Sequence, residues 1–182
     1  MLDFLLHLEQ LLPVLLNQYG IWVYAILFLV IFAETGLVFM FFLPGDSLLL
    51  AIGALCSTTH ILHLHYMMIL LSVASVLGYA FNYYTGQRLG LSIFHQNSRF
   101  FKPEYMVKTN YYFSKHGGKT IMLARFIPFV RSFAPFVAGS AHMSLWSFSL
   151  YNVLGGVLWI VSLLGIGYAV GNGVSLMLFS LT

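Results

Sequence analysis

Four ionisable residues stand where so apolar a chain should have none: Glu34 and Asp46 in one stretch, Arg125 and Arg131 in another. Placing such a group at the centre of a bilayer costs roughly 2.5–3.5 kcal/mol, so it is kept only when it pairs or holds a ligand. The guanidiniums of Arg125 and Arg131 stay protonated and offer planar forks of N–H donors, a shape that matches phosphate. The carboxyl groups of Glu34 and Asp46 can instead change charge with their surroundings. This combination suits substrate binding of a phosphate-bearing head group by Arg125 and Arg131, with Glu34 and Asp46 serving in proton coupling or gating. The plain alternative is a set of buried ion pairs that lock two segments of the chain together.

Stepping outward, each charged pair lies in an apolar segment interrupted by helix breakers. Pro44 and Gly45 interrupt the first, and Pro128, Pro135 and Gly139 the second. A straight lipid-facing helix through either would bury charge and an interior proline together. Irregular backbone at membrane depth is tolerated only where it is buried in protein or lines a wet cavity, so both segments read as broken, re-entrant hairpins. Two such interrupted segments in corresponding halves point to a transporter site near the midplane. Uninterrupted crossings are expected at 66–84, with Tyr79, Tyr83 and Tyr84 near an interface, and at 143–171, where Gly167 and Gly171 suit a close helix contact. The expected fold is an all-α integral membrane bundle with two re-entrant, Pro/Gly-broken hairpins. Residues 1–19 read as an interfacial amphipathic helix, 20–172 as the membrane domain and 173–182 as a short tail.

Composition agrees: 60% of residues are hydrophobic and only 7% charged, too apolar for a domain whose surface meets water. Apart from Arg125 and Arg131, every Lys and Arg falls between Arg88 and Lys119, an asymmetry that places 88–119 in the cytoplasm. It is not a nucleic-acid footprint. Pro103 and Glu104 look like the start of a short surface helix there. The N-terminus lacks a basic region and reads as retained. Cys56 is the only cysteine, which excludes an intrachain disulfide or a Cys-based metal site. His60, His63 and His65 form no geometry that gathers all three with an acid, and His116 reads as a turn residue, so no metal or other cofactor is expected. Aromatic runs such as Phe39 to Phe42 and Tyr111 to Phe113 read as lipid-facing or interfacial surface. No nucleophile elbow, zinc-protease motif or phosphate-cradling Gly-rich loop is present, so an enzyme is not expected; a lipid-phosphate enzyme would lack a nucleophile or metal.

Beyond these readings, the run Glu34-Thr-Gly-Leu with Leu43-Pro-Gly-Asp46-Ser, and later Gly118-Lys-Thr-Ile-Met-Leu-Ala-Arg125-Phe-Ile-Pro128-Phe-Val-Arg131-Ser-Phe-Ala-Pro135 with Ala138-Gly139, resembles the DedA family of bacterial inner-membrane proteins. The likeness covers about residues 20–172. It implies a multi-pass protein of the bacterial inner (plasma) membrane, with two re-entrant hairpins meeting in a helical bundle. It also implies activity as a lipid carrier flippase or scramblase acting on undecaprenyl phosphate or phospholipid, with Glu34, Asp46, Arg125 and Arg131 as the functional residues. The partners implied are membrane lipids and protons, with homo-oligomers permitted by the small-residue motifs. The rival reading is an envelope-maintenance scaffold.

Overall fold

The computed structural model describes residues 21–37, 45–58, 62–93 and 118–180. Outside them lie the expected 1–19 interfacial helix, Pro44, Phe39 to Phe42, His60, the surface helix from Pro103, Tyr111 to Phe113, and His116. The described residues form six helices and no strand: α1 (Ile21–Gly36), α2 (Gly45–Thr58), α3 (Leu64–Ile93), α4 (Lys119–Ala124), α5 (Pro128–Ser140) and α6 (Leu145–Ser180).

Two stretches, Leu64–Leu89 on α3 and Leu145–Gly173 on α6, are long and apolar enough to cross a membrane. Their outward faces carry large apolar side chains, including Ile69, Val73, Leu77 and Phe81 at four-residue spacing on α3. Trp22, Ile26 and Leu29 make a similar exposed stripe on α1. Stripes this large need an apolar environment. The inward faces pack into one cluster around Ile31, Leu49, Ile52, Leu71 and Leu164 and a second around Tyr79, Tyr83, Ile121 and Phe148.

Close helix contact is set by glycine. A Cβ on Gly53 of α2 would overlap the Leu164 carbonyl of α6, and one on Gly167 would overlap the Leu50 carbonyl in return. Gly171 continues that seam against Ala54. The same device joins α3 to α5, where Gly139 lies against the Tyr83 carbonyl and Gly86 against the Phe136 carbonyl.

These contacts correct several expectations. Pro135 and Gly139 do not break the second segment, because both lie inside the continuous helix α5. A proline there removes one amide donor and pushes on the preceding turn. The adjacent Ser132 carbonyl accepts a 2.8 Å hydrogen bond from Asn82 Nδ2 of α3. Gly139 is the packing contact already described. The actual break runs from Arg125 to Ile127, with Ile127 extended (φ −112°, ψ 111°) as a residue before proline prefers, and Pro128 opening α5. Gly45 opens α2. Tyr79 and Tyr83 are buried rather than interfacial, and of the three tyrosines only Tyr84 is exposed. α3 runs on past Arg88 to Ile93, and α6 runs on through the expected tail to Ser180. α5 ends in a turn in which Met143 N–H bonds the Ala138 carbonyl and His142 N–H the Gly139 carbonyl, with His142 left-handed (φ 50°).

If the α2–α6 seam holds these helices together, Gly167→Val should cost about 1–3 kcal/mol by overpacking. Gly165→Ala on the same helix, with nothing within 4 Å of the added carbon, should leave stability unchanged. Thermal unfolding of both variants in detergent checks this.

Candidate functional site

Arg131 lies one turn into α5, on the face turned toward α1 and the start of α2. Its two terminal nitrogens divide between two acids: NH1 donates to Asp46 Oδ1 at 2.6 Å and NH2 to Glu34 Oε1. Glu34 comes from the last turn of α1 and is 1% exposed. Gly45 lies against it so closely that any Cβ there would occupy the space of the Glu34 carboxylate. The Asp46 side chain, in contrast, is 43% exposed. Trp159 closes the cluster from α6, donating its indole N–H to Asp46 Oδ1 at 3.2 Å while the Arg131 guanidinium lies 5.0 Å over its ring. Trp159 is the central residue of the Leu145–Gly173 span, so the ionic cluster sits at mid-depth of that helix.

A second cation packs against the middle of α3. Arg125, at the C-terminal end of α4, is 2% exposed and donates to Ser75 Oγ and to Asn152 Oδ1. Its guanidinium stacks 3.6 Å from the centre of the Tyr79 ring. Asn152 is itself held, donating Nδ2 to the Val76 carbonyl at 3.0 Å. Val76 lies at the centre of Leu64–Leu89. Among the described residues Arg125 has no carboxylate partner.

Of the four charged residues singled out in the sequence, the structure therefore gathers Glu34, Asp46 and Arg131 into one bonded group and sets Arg125 in a separate neutral cradle. Asn82 ties the parts together, with Nδ2 directed at both the Ser132 carbonyl and, at 3.4 Å, the Thr35 carbonyl. These are the chain neighbours of Arg131 and Glu34. Ser75, Tyr79, Asn82, Asn152 and Trp159 were not anticipated as site residues. A signal for them exists: Ser75, Tyr79 and Asn82 fall at i, i+4 and i+7 of an apolar helix, and Asn152 is the sole amide side chain between Met143 and Gly171. No group of three His, Cys, Asp or Glu that could hold a metal occurs among the described residues, and exposed His63 packs only edge-on to Tyr66.

A fork shared between two carboxylates is released in steps as either acid is neutralised, and Asp46 is the acid with access. Comparison with known proteins fits this setting. A family model described as the VTT domain matches residues 43–169. The protein DedA of Escherichia coli K12 is 50% identical over 174 residues, covering 94% of this chain and 80% of that protein. Inner membrane protein YqjA of the same strain is 35% identical over 150 residues, 82% of this chain and 68% of that protein. An uncharacterized membrane protein of Mycobacterium leprae is 41% identical over 144 residues, 79% of this chain and 64% of that protein. No solved structure matches.

Removing one member of a buried ion pair strands the other, at about 3–5 kcal/mol. Arg131→Met should therefore destabilise the protein by that amount, while the combined Glu34→Gln, Asp46→Asn, Arg131→Met variant should regain most of the loss. Thermal unfolding of the single and combined variants measures the difference; equal stabilities would show that the pairing does not hold the helices.

Proposed function

We propose that this chain, which belongs to the DedA family of VTT-domain membrane proteins, translocates a phosphate-bearing lipid across the bilayer. The substrate class is a polyprenyl phosphate such as undecaprenyl phosphate, or a phospholipid. Arg125 and Arg131 bind the head group, and Glu34 and Asp46 couple the movement to protons or gate it. The observation that carries the reading is an ionic cluster at mid-depth joining two interrupted helical segments, Arg131 from one reaching Glu34 and Asp46 of the other.

The interrupted segments function as re-entrant hairpins. Supporting this, α2 has 14 residues and α5 has 13, which at 1.5 Å per residue gives each about 20 Å, short of the ~30 Å hydrocarbon core. The protein is multi-pass in the bacterial inner membrane, with 88–119 in the cytoplasm, where the basic residues favour it. Relatives named as membrane proteins, one of them as an inner membrane protein, support the membrane location. In the closed arrangement Arg131 is held by both acids. Neutralising one of the two acids weakens one bond, and the arriving phosphate then competes for the freed guanidinium.

A scaffold reading has one observation in its favour: both acids already pair with Arg131, as a purely structural lock requires. The two readings separate in proteoliposomes. Head-group translocation of fluorescent phospholipid and of undecaprenyl phosphate is measured with and without a pH gradient. The comparison covers wild type and Glu34→Gln, Asp46→Asn, Arg125→Ala and Arg131→Ala. A transporter loses about tenfold or more with each substitution at unchanged fold, the equivalent of one charge-assisted hydrogen bond. Gradient dependence that disappears in Glu34→Gln or Asp46→Asn identifies the proton carrier. A scaffold keeps full activity in Glu34→Gln and changes only in stability.

A further inference from the structure

Among the described residues Arg131 has two carboxylate partners and Arg125 has none. The Arg125 guanidinium is buried at mid-depth against three neutral partners: the Ser75 hydroxyl, the Asn152 amide oxygen and the face of Tyr79. For structure alone this is a poor solution, because a carboxylate at position 152 would give a stronger, charge-assisted bond and cancel the buried charge. The amide does neither, and its own Nδ2 is committed to the Val76 carbonyl, which fixes Oδ1 toward the arginine. Two donors in this cradle also lack an acceptor among the described residues, Arg125 Nε and the Tyr79 hydroxyl, both fully enclosed. Buried polar atoms are nearly always satisfied, so unsatisfied ones call for an explanation. A retained positive charge with spare N–H and O–H donors is the complement of an anion.

We propose that Arg125 and Tyr79 together form the anchor for the phosphate of the translocated lipid, and that Ser75 and Asn152 are positioning residues that hold the Arg125 fork without neutralising it. This rests on the lipid-translocation reading and orders its two arginines: Arg125 anchors the phosphate, and Arg131, held by Glu34 and Asp46 in the closed arrangement, joins it only when an acid lets go. The specificity that follows is for charge. A head group whose phosphate keeps an uncompensated negative charge is preferred over a neutral lipid of equal chain length.

The test uses the full chain with Asn152→Asp, Tyr79→Phe and Ser75→Ala. Translocation is measured in proteoliposomes as a function of lipid mole fraction. Binding of short-chain phosphatidic acid, with short-chain diacylglycerol as the uncharged control, is read by thermal shift in detergent. Asn152→Asp exchanges the Nδ2 bond to the Val76 carbonyl for an ion pair with Arg125, so it should unfold near the wild-type temperature. It should nonetheless bind phosphatidic acid and move lipid at least about tenfold less well, the scale of one charge-assisted contact. Tyr79→Phe keeps the ring beneath Arg125 and removes only a hydroxyl that has no partner among the described residues. It should fold as well as wild type and raise the mole fraction for half-maximal transport by about three- to tenfold with little change in maximal rate. Ser75→Ala should produce the same half-saturation shift, and Ser75→Thr, which restores the hydroxyl, should reverse it.

Wild-type binding and transport in both Asn152→Asp and Tyr79→Phe overturn the anchor. If Asn152→Asp does not fold, Tyr79→Phe decides alone. If wild type binds phosphatidic acid, loses it in Asn152→Asp and yet moves no lipid, the anchor stands and the translocation reading falls. If wild type moves lipid and no variant differs, only the anchor falls.

Discussion

The bond from Arg131 to Glu34 and Asp46 is the constraint that the surrounding structure serves. A guanidinium at the mid-depth of an apolar bundle has to find its acids, and here they come from a different part of the chain, one at the end of α1 and one at the start of α2. That requirement explains local choices that otherwise look unrelated. Position 45 has to be glycine because the Glu34 carboxylate occupies the space of a side chain there. Pro128 starts α5 so that Arg131 falls one turn inside it, and the extended Ile127 turns the chain into that start. Gly86 and Gly139 let α5 sit against α3, and Asn82 then clamps the backbone beside both partners of the ion pair. Trp159 supplies the remaining wall, half ring face for the cation and half N–H donor for Asp46.

How much of this the sequence discloses depends on how costly each residue is in its setting. Glu34, Asp46, Arg125 and Arg131 stand out because charge in an apolar run has few cheap explanations. Pro128 stands out because a proline before a charged residue in such a run must open or end a helix. Pro135 and Gly139 carry the same letters as true breaks and mean something else. Inside a bundle, a neighbouring side chain such as Asn82 can hold the backbone beside the carbonyl that proline leaves free, and a glycine can be a contact surface. Which meaning applies is decided by a helix more than fifty residues away in sequence, and no local pattern reports it. Ser75, Tyr79, Asn152 and Trp159 are harder still, since small polar and aromatic residues are ordinary in membrane helices. Only their shared face and their depth mark them. The ends of α3 and α6 escaped for a simpler reason: Arg88 and Gly173 change the polarity of the chain without breaking its helical period, so both helices continue.

The two arginines are alike in sequence and opposite in electrostatics. Among the described residues Arg131 has two acidic partners and Arg125 only neutral ones. Taken together the four groups balance, but the balance is distributed, with the negative charge gathered at Arg131 and the positive charge of Arg125 set apart from it. In a medium of low dielectric such a separation is held at a cost that grows with burial, and it persists only when surrounding contacts over-determine it. Here Ser75, Asn152 and the Tyr79 ring fix the Arg125 side, and Trp159 and Gly45 fix the Arg131 side.

That separation also limits how the molecule can move. Because Arg131 alone spans α1, α2 and α5, no displacement of α5 from the first segment is possible without breaking a buried ion pair, and each half-broken state would be penalised by several kcal/mol. A ligand can favour the displaced state only to the extent that it binds that state more tightly. In the proposed transport cycle an anion held at Arg125 would alter the field felt by the Glu34–Arg131–Asp46 group, and neutralising either acid would weaken one of the two contacts to be broken. Because three helices meet at a single guanidinium, any ligand that displaces α5 would have to offset the loss of both contacts together.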